Sequence, residues 1–442
     1  MKVACRRVLV AGLLTALATV SPMPAQAKAT DSGAWAPALD LLEGHVAHTA
    51  TLLEDGRVLI VGGTNARGVP IAGSEIFDPK ANRWIRAASM STARAAHTAT
   101  RLSDGSVLVT GGRTGLNSFP IEILATAQIY HPDSNSWTEA SPMHVPRGTH
   151  SATRLQDGRV LVVGGTTLAP GSPLPAAQLE QAEVYDPKRD SWSFAGTGLP
   201  ALSAQAATLM PTGSVLVTGG STDMGFATTG AEVFDPATNR WQPSTWPMAT
   251  PRYGHTATLL PDGRVVLVGG YSTQPEISGG RGYPNGELLT TSEIFDLRGN
   301  IGVRMGYSGI PRLDHTATLL GTGKVLIVGS AYASNADSQL FDPANTADLV
   351  STGMRMDRYL HTATLLADGR VLIVGGYGVG SPTTAWIFSP LPGTSSSLAN
   401  PWTVLAAGVL LAVVITIGLA ARYGRLPRRR TIPEDDSTWV DP

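Results

Sequence analysis

The residue with the clearest chemical capacity in this sequence is an arginine that stands three positions before a histidine and recurs five times. A guanidinium group presents a rigid set of N–H donors that can bind a carboxylate or a phosphate bidentately, or bind sugar hydroxyls. A ring of such groups could therefore hold a polar ligand. The alternative is that each arginine bonds backbone carbonyls between neighbouring repeats. The five residues are Arg94, Arg147, Arg252, Arg312 and Arg358.

No motif in the sequence predicts a catalytic centre. It contains no phosphate-binding loop, nucleophile elbow or zinc signature, and its only cysteine is Cys5. A catalytic base would have to come from carboxylates that have no visible partner, namely Glu180, Glu183, Glu276 and Glu287. The sequence therefore favours a protein without catalytic residues, metal or cofactor, and leaves enzymatic activity open.

The histidines begin a phrase of sixteen residues that recurs along the chain, and each repeated arginine stands three positions before it. HTATLLEDGRVLIVGG begins at His48, HTATLLADGRVLIVGG begins at His361, and consecutive copies are 46 to 60 residues apart. A turn glycine lies eight positions after each start, in five copies as Asp-Gly, which is a strong hairpin signal because the turn needs a positive φ. The copies begin at His48, His97, His150, Gln205, His255, His315 and His361.

Two further strands are predicted after each phrase. A run such as Glu-Ile-Phe-Asp-Pro at Glu75 combines β-branched and aromatic residues with a turn-forming Asp-Pro. Seven residues after its aromatic, a tryptophan begins a fourth strand in the first four copies, at Trp84, Trp137, Trp192 and Trp241. Four short antiparallel strands repeated at this interval predict the blades of a β-propeller.

The combination of Arg-x-x-His, Gly-Gly, an aromatic residue and tryptophan resembles the kelch repeat, from about Trp35 to Pro390. The resemblance implies an all-β, seven-bladed kelch-type β-propeller of residues 28–390, with the first strands innermost and the arginines near the mouth of a central channel. Gly302 and Asp348 replace tryptophan, and copy seven has no fourth strand of its own. Trp35 precedes His48 by thirteen residues, as in interior repeats, so an N-terminal strand is predicted to close the ring.

The repeated histidines are predicted to be structural. Nitrogen ligands of one zinc ion lie roughly 3.4 Å apart, since each is about 2.1 Å from the metal. Equivalent points on a seven-bladed ring of about 8 Å radius lie roughly 7 Å apart. The histidines are therefore too far apart to share one ion, and we predict no metal.

The segments after Gly-Gly, or after Gly329-Ser330 in the sixth copy, vary far more than the rest of each repeat. They are 11, 15, 17, 11, 22, 8 and 9 residues long, and in an up-and-down blade they share one face with the connections between blades. We call this the loop face; its variable segments are residues 64–74, 113–127, 166–182, 221–231, 271–292, 331–338 and 377–385. Long loops on a rigid frame are often functional, so Tyr271, Arg281 and Tyr283 of the longest segment are further candidates for ligand binding.

Both ends of the chain are predicted to direct it to a membrane. Residues 1–27 have the basic start, apolar core and Ala-Gln-Ala of a cleaved signal peptide. Residues 391–400 are predicted to be a stalk, the uncharged stretch 401–421 a transmembrane helix, and the arginine-rich residues 422–442 a cytoplasmic tail. A sortase-type anchor at Leu391–Thr394 is the alternative. The sequence thus predicts a single-pass cell-membrane protein with an extracytoplasmic propeller.

Charge and topology lead to three functional hypotheses. The exported part holds 25 basic and 30 acidic residues, a net charge of about −5, which argues against nucleic acid as a partner. The leading hypothesis is a binding module that presents its loop face to a protein, peptide or glycan ligand. One alternative is a carbohydrate-acting enzyme of the kelch type. It would be mutarotase-like, because the mature chain has no cysteine for a Cys-Tyr copper oxidase. The other alternative is a scaffold subunit of an envelope complex.

Overall fold

The computed structural model describes residues 28–30, 33–114, 121–168, 175–275, 284–297, 303–307, 309–331, 336–344, 349–378 and 380–391. Within these residues the chain forms seven antiparallel sheets of four or five strands, three two-stranded sheets and no helix. The first strands of adjacent sheets contact one another, and the first strand of the last sheet contacts that of the first. The predicted seven-bladed β-propeller is therefore confirmed.

Blades 1 to 4 are each made of four consecutive strands. The first two come from the repeated phrase, with its turn glycine between them, and the last two follow the variable segment. Their bounds are Thr49–Leu52, Val58–Val61, Ser74–Asp78 and Arg83–Ala87; Thr98–Arg101, Val107–Thr110, Ala127–His131 and Ser136–Ala140; Ser151–Arg154, Val160–Val163, Glu183–Asp186 and Ser191–Phe194; Ala206–Leu209, Val215–Thr218, Ala231–Asp235 and Arg240–Pro243.

Blades 5 to 7 keep this order, and blades 5 and 6 have fourth strands although their sequences lack the tryptophan. Their bounds are Thr256–Leu259, Val265–Val268, Thr291–Phe295 and Val303–Tyr307; Thr316–Leu319, Val325–Val328, Asp337–Phe341 and Leu349–Arg355; Thr362–Leu365, Val371–Val374 and Ala385–Pro390, followed by Gly33–Pro37 and Lys28–Thr30. Two hairpins and one two-residue pairing of separate segments lie outside the blades. The hairpins are Thr166–Leu168 with Pro175–Gln178 and Tyr271–Pro275 with Pro284–Leu288, and the pairing joins Arg358–Tyr359 with Tyr377–Gly378.

The N-terminal segment closes the ring, as predicted. Gly33–Pro37 pairs antiparallel with Ala385–Pro390, so that the first described strands complete the last blade. Trp35 is 1% exposed, lies 4.9 Å from the ring of Phe388, and donates its Nε1–H to Oγ1 of Thr352 in blade 6 at 3.0 Å. The closing strand is thus joined both to its own sheet and to the neighbouring blade.

The hydrophobic core is divided into layers between adjacent blades. All four residues of Val58–Val61 are buried because blades cover both faces of the sheet. Between blades 1 and 2, for example, Leu59 and Val61 belong to the same buried cluster as Val107 and Tyr130. Burial of such apolar surface contributes about 25 cal/mol per Å², so each blade is stabilised mainly by its two neighbours.

The predicted targeting segments fall almost entirely outside the described residues. These are the signal peptide 1–27, the stalk 391–400 beyond its first residue, the transmembrane helix 401–421 and the tail 422–442. Among the residues that the structure describes, no helix has the length and hydrophobicity needed to span a membrane. Gly302 and Asp348 also lie outside the described residues.

Candidate functional site

The five repeated arginines are buried structural groups. Arg94 is fully buried; its Nη1 donates to the carbonyls of Gly111 and Thr126, and its Nη2 to Oγ1 of Thr126, all at 3.0 Å. This geometry fits the alternative in which each arginine bonds backbone carbonyls. The accepting carbonyls, however, belong to the blade whose first strand follows the arginine, and not to the preceding blade. The bond to the carbonyl seventeen residues later recurs from Arg147 to Gly164, Arg252 to Gly269, Arg312 to Gly329 and Arg358 to Gly375.

One carboxylate considered as a catalytic base is already paired. Glu183 accepts a hydrogen bond from Nη2 of Arg147 at 2.8 Å, and both side chains are fully buried. Its two oxygens also accept the backbone N–H groups of His144 and Val145. Glu183 therefore forms a structural ion pair with Arg147, and its carboxylate oxygens are already occupied as hydrogen-bond acceptors. Of the other three, Glu180 and Glu287 are exposed, and Glu276 lies outside the described residues.

The repeated histidines join neighbouring blades. Nε2 of His97 lies 3.1 Å from Oγ1 of Thr49 in the preceding blade. Burial, together with the positive charge of Arg94, lowers the pKa of His97 to about 3, so its imidazole is neutral at pH 7. Equivalent contacts join His48 to Thr362, His150 to Thr98, His315 to Thr256 and His361 to Thr316, and His255 instead contacts Thr218 in the second strand of the preceding blade.

The Gly-Gly pair that ends six of the seven phrases, replaced by Gly329-Ser330 in the sixth, allows the next blade to approach. The N–H of Gly63, at a φ of 88°, donates to the carbonyl of Arg94 at 2.8 Å. A Cβ on Gly62 would lie only 2.7 Å from that same oxygen, closer than carbon and oxygen atoms tolerate. The repeated arginine, the repeated histidine and the Gly-Gly pair therefore hold neighbouring blades together, and we call them the clamp. Residues that could select a ligand must lie outside the clamp. In the described part of the chain, no three His, Cys, Asp or Glu side chains are grouped so as to hold a metal ion.

The channel mouth is rimmed by the residue before each repeated histidine or Gln205. These residues have left-handed backbones, with φ from 53° to 65°, and several bond to the preceding blade through the main chain. For example, the N–H of Ala47 donates to the carbonyl of Leu360 at 3.0 Å, and that of Ala96 to Ala47 at 3.3 Å. The rim consists of Ala47, Ala96, Thr149, Ala204, Gly254, Asp314 and Leu360.

Asp314 is the one acidic residue of this rim. It is 7% exposed, and burial raises the pKa of its carboxyl group well above the ordinary value. Its Oδ1 has no hydrogen-bond partner among the described residues. The carboxyl group is therefore held in a poorly solvating place, where the neutral form is favoured.

Two tyrosine pairs lie on the loop face beside the mouth. The rings of Tyr253 and Tyr271 are 5.6 Å apart, and those of Tyr359 and Tyr377 are 5.7 Å apart. The first pair packs with the rim residue Ala204, and the second with the rim residues Ala47, Ala96 and Leu360. Tyr271 is thus brought to the mouth, whereas the other candidates of its segment, Arg281 and Tyr283, lie outside the described residues.

The variable segments of blades 3, 4 and 5 are joined into one structure, which we call the blade 3–5 wall. It comprises the hairpins Thr166–Gln178 and Tyr271–Leu288, in their described parts, and the loop 221–227 between them. Gln178 donates its N–H to Asp223 of the loop at 2.8 Å. From the other side, Oγ1 of Thr273 accepts the N–H of Ala227 at 2.6 Å and donates to the carbonyl of Gly225 at 3.1 Å.

Several residues that shape the mouth were missed by the sequence analysis. They occupy two positions of the repeat: the residue after the repeated arginine, as in Tyr253 and Tyr359, and the residue after Gly-Gly, as in Arg113 and Tyr377. These two positions form backbone bridges in the ring, for example Tyr253 with Tyr271 and Ala95 with Arg113. The available signal was their variation between copies whose flanking residues are nearly constant.

Comparison with known sequences agrees with this repeat geometry. The KLHDC2/KLHL20/DRC7 Kelch-repeats domain matches residues 44–270. Human Kelch-like protein 34 is 32% identical over 162 residues, 35% of this chain and 24% of that protein. Kelch-like protein 25 of Xenopus tropicalis is 25% identical over 225 residues, 49% of this chain and 34% of that protein. The chain therefore aligns with no more than about a third of the length of these curated relatives.

Comparison with solved structures agrees in fold. A fungal alcohol oxidase of the AA5 family, in complex with copper, superposes with a TM-score of 0.62 and 19% identity over 81% of this chain and 77% of its own. The structure of YjhT gives a TM-score of 0.54 and 17% identity over 71% of this chain and 99% of its own. The domain match covers half of the chain and the same clamp recurs around the ring, so the chain belongs to the kelch-repeat family.

Proposed function

We propose that this propeller is an interaction module that binds a protein or peptide partner on its loop face. The observation that carries the proposal is the difference between its two faces. The blade 3–5 wall, the rim and both tyrosine pairs share the loop face. The opposite face consists of short turns whose charges pair locally, such as Arg57 with Asp55 at 2.6 Å and Arg264 with Asp262 at 2.7 Å.

The composition of the mouth supports a protein or peptide partner. Tyr271, Tyr359 and Tyr377 keep part of their surface exposed. Tyrosine combines a large apolar area with a polar hydroxyl group at low entropic cost, and it is enriched among the residues that dominate binding energy. Kelch-repeat propellers typically bind protein partners, and the relatives named above are kelch-like proteins.

The location of the module is part of the proposal. A signal peptide at 1–27 and a membrane span at 401–421 would place the propeller outside the cell membrane, with the short arginine-rich tail inside. The full chain is then expected to stay with membranes after a sodium carbonate wash, whereas a chain ending at residue 400 is expected in the soluble fraction. Release of both would contradict the tether.

Binding can be tested by selecting random displayed peptides on the full chain in mild detergent. Met224 is 73% exposed at the tip of the blade 4 loop, and Thr212 is exposed in the opposite-face turn of the same blade. Met224→Arg is expected to weaken the selected peptides about tenfold, because a solvated charge enters the interface core. Thr212→Arg, the matched control, is expected to leave their affinity unchanged.

The result that would overturn the proposal is equal weakening, or none, in both variants. Selection of no peptide, together with capture of an oligosaccharide by the same protein, would favour a glycan ligand instead. The two variants should have the same melting temperature, since neither side chain contributes to a buried cluster.

A further inference from the structure

Blade 4 lacks the arginine of the clamp. Leu202 stands at its position, three residues before Gln205, and its carbonyl accepts the N–H of Gly165 at 3.1 Å. The carbonyl of Arg147 accepts the N–H of Gly112 in the same way at 2.9 Å, so the two backbones are placed alike. The leucine side chain ends at its Cδ atoms and has no donor, so the guanidinium group found in five other blades is missing here.

The acceptors that bind this guanidinium group are nevertheless present in blade 4. In blade 3, Arg147 donates to the carbonyls of Gly164 and Gln181 at 3.0 and 2.9 Å. It also donates to the carboxylate of Glu183 at 2.8 Å. We call the equivalent set of acceptors the blade 4 socket; it consists of the carbonyls of Gly219 and Gly230 and the carboxylate of Glu232.

The register of the sheet places these acceptors as in blade 3. Glu232 pairs with the residue two positions before Gly219, and Glu183 pairs with the residue two positions before Gly164. The N–H of Gly219 also donates to the carbonyl of Gly230 at 2.9 Å, which keeps these two residues together. The backbone of blade 4 therefore holds the socket in the arrangement that binds a guanidinium group elsewhere in the ring.

The socket is not used by the fold. Glu183 accepts two backbone N–H groups of the preceding connection, one of them from Val145, whereas the residue at that position before blade 4 is Pro200, which has no N–H. Among the described residues, no hydrogen bond or ion pair reaches the carboxylate of Glu232, and no donor reaches the carbonyl of Gly219. Two of its three acceptors are therefore available to a ligand.

The carboxylate of Glu232 is both accessible and poorly compensated. It is partly exposed, whereas the side chain of Glu183 is fully buried beneath its arginine. Burial raises the pKa of the Glu232 carboxyl group, because it removes water and no donor replaces that water. A cation placed in the socket would oppose this effect, since an adjacent positive charge favours the ionised carboxylate.

We propose that the blade 4 socket binds the guanidinium group of an arginine side chain supplied by the partner. The partner's arginine would take the place that the chain's own arginine holds in five other blades. A planar guanidinium group can donate to two carbonyls and a carboxylate at once, whereas an ammonium group is a compact point charge. That the ligand is a protein or peptide rests on the proposed function; the guanidinium chemistry rests on the socket alone.

The site can be tested by nuclear magnetic resonance on the full chain labelled with ¹³C-glutamate and ¹⁵N-glycine. The probes are ethylguanidinium, ethylammonium and the neutral ethylurea, at constant ionic strength. The carboxyl resonance of Glu232, identified by its loss in Glu232→Gln, is expected to shift and saturate with ethylguanidinium. Binding of ethylammonium is expected to be at least about tenfold weaker, and ethylurea is expected to leave the carboxyl resonance in place.

Four variants sharpen the result. Leu202→Arg is expected to abolish the response, because its own guanidinium group fills the socket, and Leu202→Met, the matched apolar control, is expected to keep it. Glu232→Gln should weaken ethylguanidinium binding at least about tenfold, which the N–H resonance of Gly230 reports in the absence of the carboxylate. Glu122→Gln, at an exposed carboxylate of the same face, is expected to leave the titration unchanged.

The proposal is overturned if the Glu232 resonance does not respond to ethylguanidinium, or responds equally to ethylammonium or to sodium. It is also overturned if Leu202→Arg, folded with a melting temperature no lower than that of the wild type, responds as the wild type does. Failure of peptide selection together with a saturable ethylguanidinium response would contradict the proposed function and leave the socket standing. Selected peptides that bind Leu202→Arg as tightly as the wild type would overturn the role of the socket and leave the proposed function standing.

Discussion

At the scale of single residues, buried histidines should make the propeller sensitive to acid. Burial lowers the pKa of His97 and of His315 to about 3, whereas a histidine in the unfolded chain has a pKa of about 6.5. Between these values the unfolded chain binds protons that the folded chain does not. Stability that is fully present above about pH 6.5 is therefore lost as the pH falls towards about 3.

His97→Gln is expected to flatten this dependence. Glutamine stands naturally at the equivalent position of blade 4, where Nε2 of Gln205 donates to the carbonyl of Val163 at 2.7 Å. Urea unfolding at pH 7 and pH 5 should show a smaller loss of unfolding free energy for the variant than for the wild type, since one titrating group is removed. His131→Gln, at a partly exposed histidine of the outer strands, is the control and should keep the wild-type difference. Equal differences in all three proteins would contradict this account.

Asp314 should act in the opposite direction. Because burial raises the pKa of its carboxyl group, the unfolded state ionises first as the pH rises above about 4, and stability falls. Asp314→Asn removes the ionisation and suits the φ of 53°. We expect a higher melting temperature than wild type at pH 7 and no difference at pH 3. Asp40→Asn, at an exposed carboxylate, should change neither value; a gain at both pH values would show that ionisation is not the cause.

At the scale of elements, the strands follow from local patterns but the mouth does not. The apolar flanks around Asp55-Gly56 predict the inner hairpin, and the thirteen-residue interval from Trp35 to His48 predicts the closing strand. Tyr253 and Tyr271 meet only because a blade connection forms a bridge with the segment after Gly-Gly. The kelch resemblance implied that the repeated arginines lie near the mouth, and bonding to backbone carbonyls was one of the two interpretations. The sequence did not show that the accepting carbonyls, such as that of Gly111 for Arg94, lie in the blade that follows each arginine.

The closing strand gives a direct test at this scale. Trp35→Ala removes a ring that is 1% exposed, packed against Phe388 and bonded to Thr352. We expect the free energy of unfolding to fall by about 3–5 kcal/mol, the usual cost of emptying such a site. Chemical denaturation measures the change. The control is Trp246→Ala, at a tryptophan that is 38% exposed, and it should lower the free energy of unfolding by about 0.5 kcal/mol or less. Similarly small losses of unfolding free energy in both variants would mean that the N-terminal strand does not hold the ring closed.

At the scale of the whole molecule, stability and recognition are assigned to different residues. The clamp of arginine, histidine and Gly-Gly is buried and faces the neighbouring blades. The residues that vary, from Arg113 through the blade 3–5 wall to Tyr377, gather on one face of the ring. Substitutions at exposed wall positions such as Met224 should therefore change binding without changing the melting temperature, which is the property expected of a binding module on a rigid frame.

Amide hydrogen exchange of the full chain, with and without a peptide selected on it, tests the central claim most directly. The account predicts slower exchange in residues 221–227, Tyr271–Pro275 and Tyr377–Gly378 when the peptide is bound, and unchanged exchange in the opposite-face turns at 54–57 and 261–264. Protection of those turns, with no protection on the loop face, would contradict it.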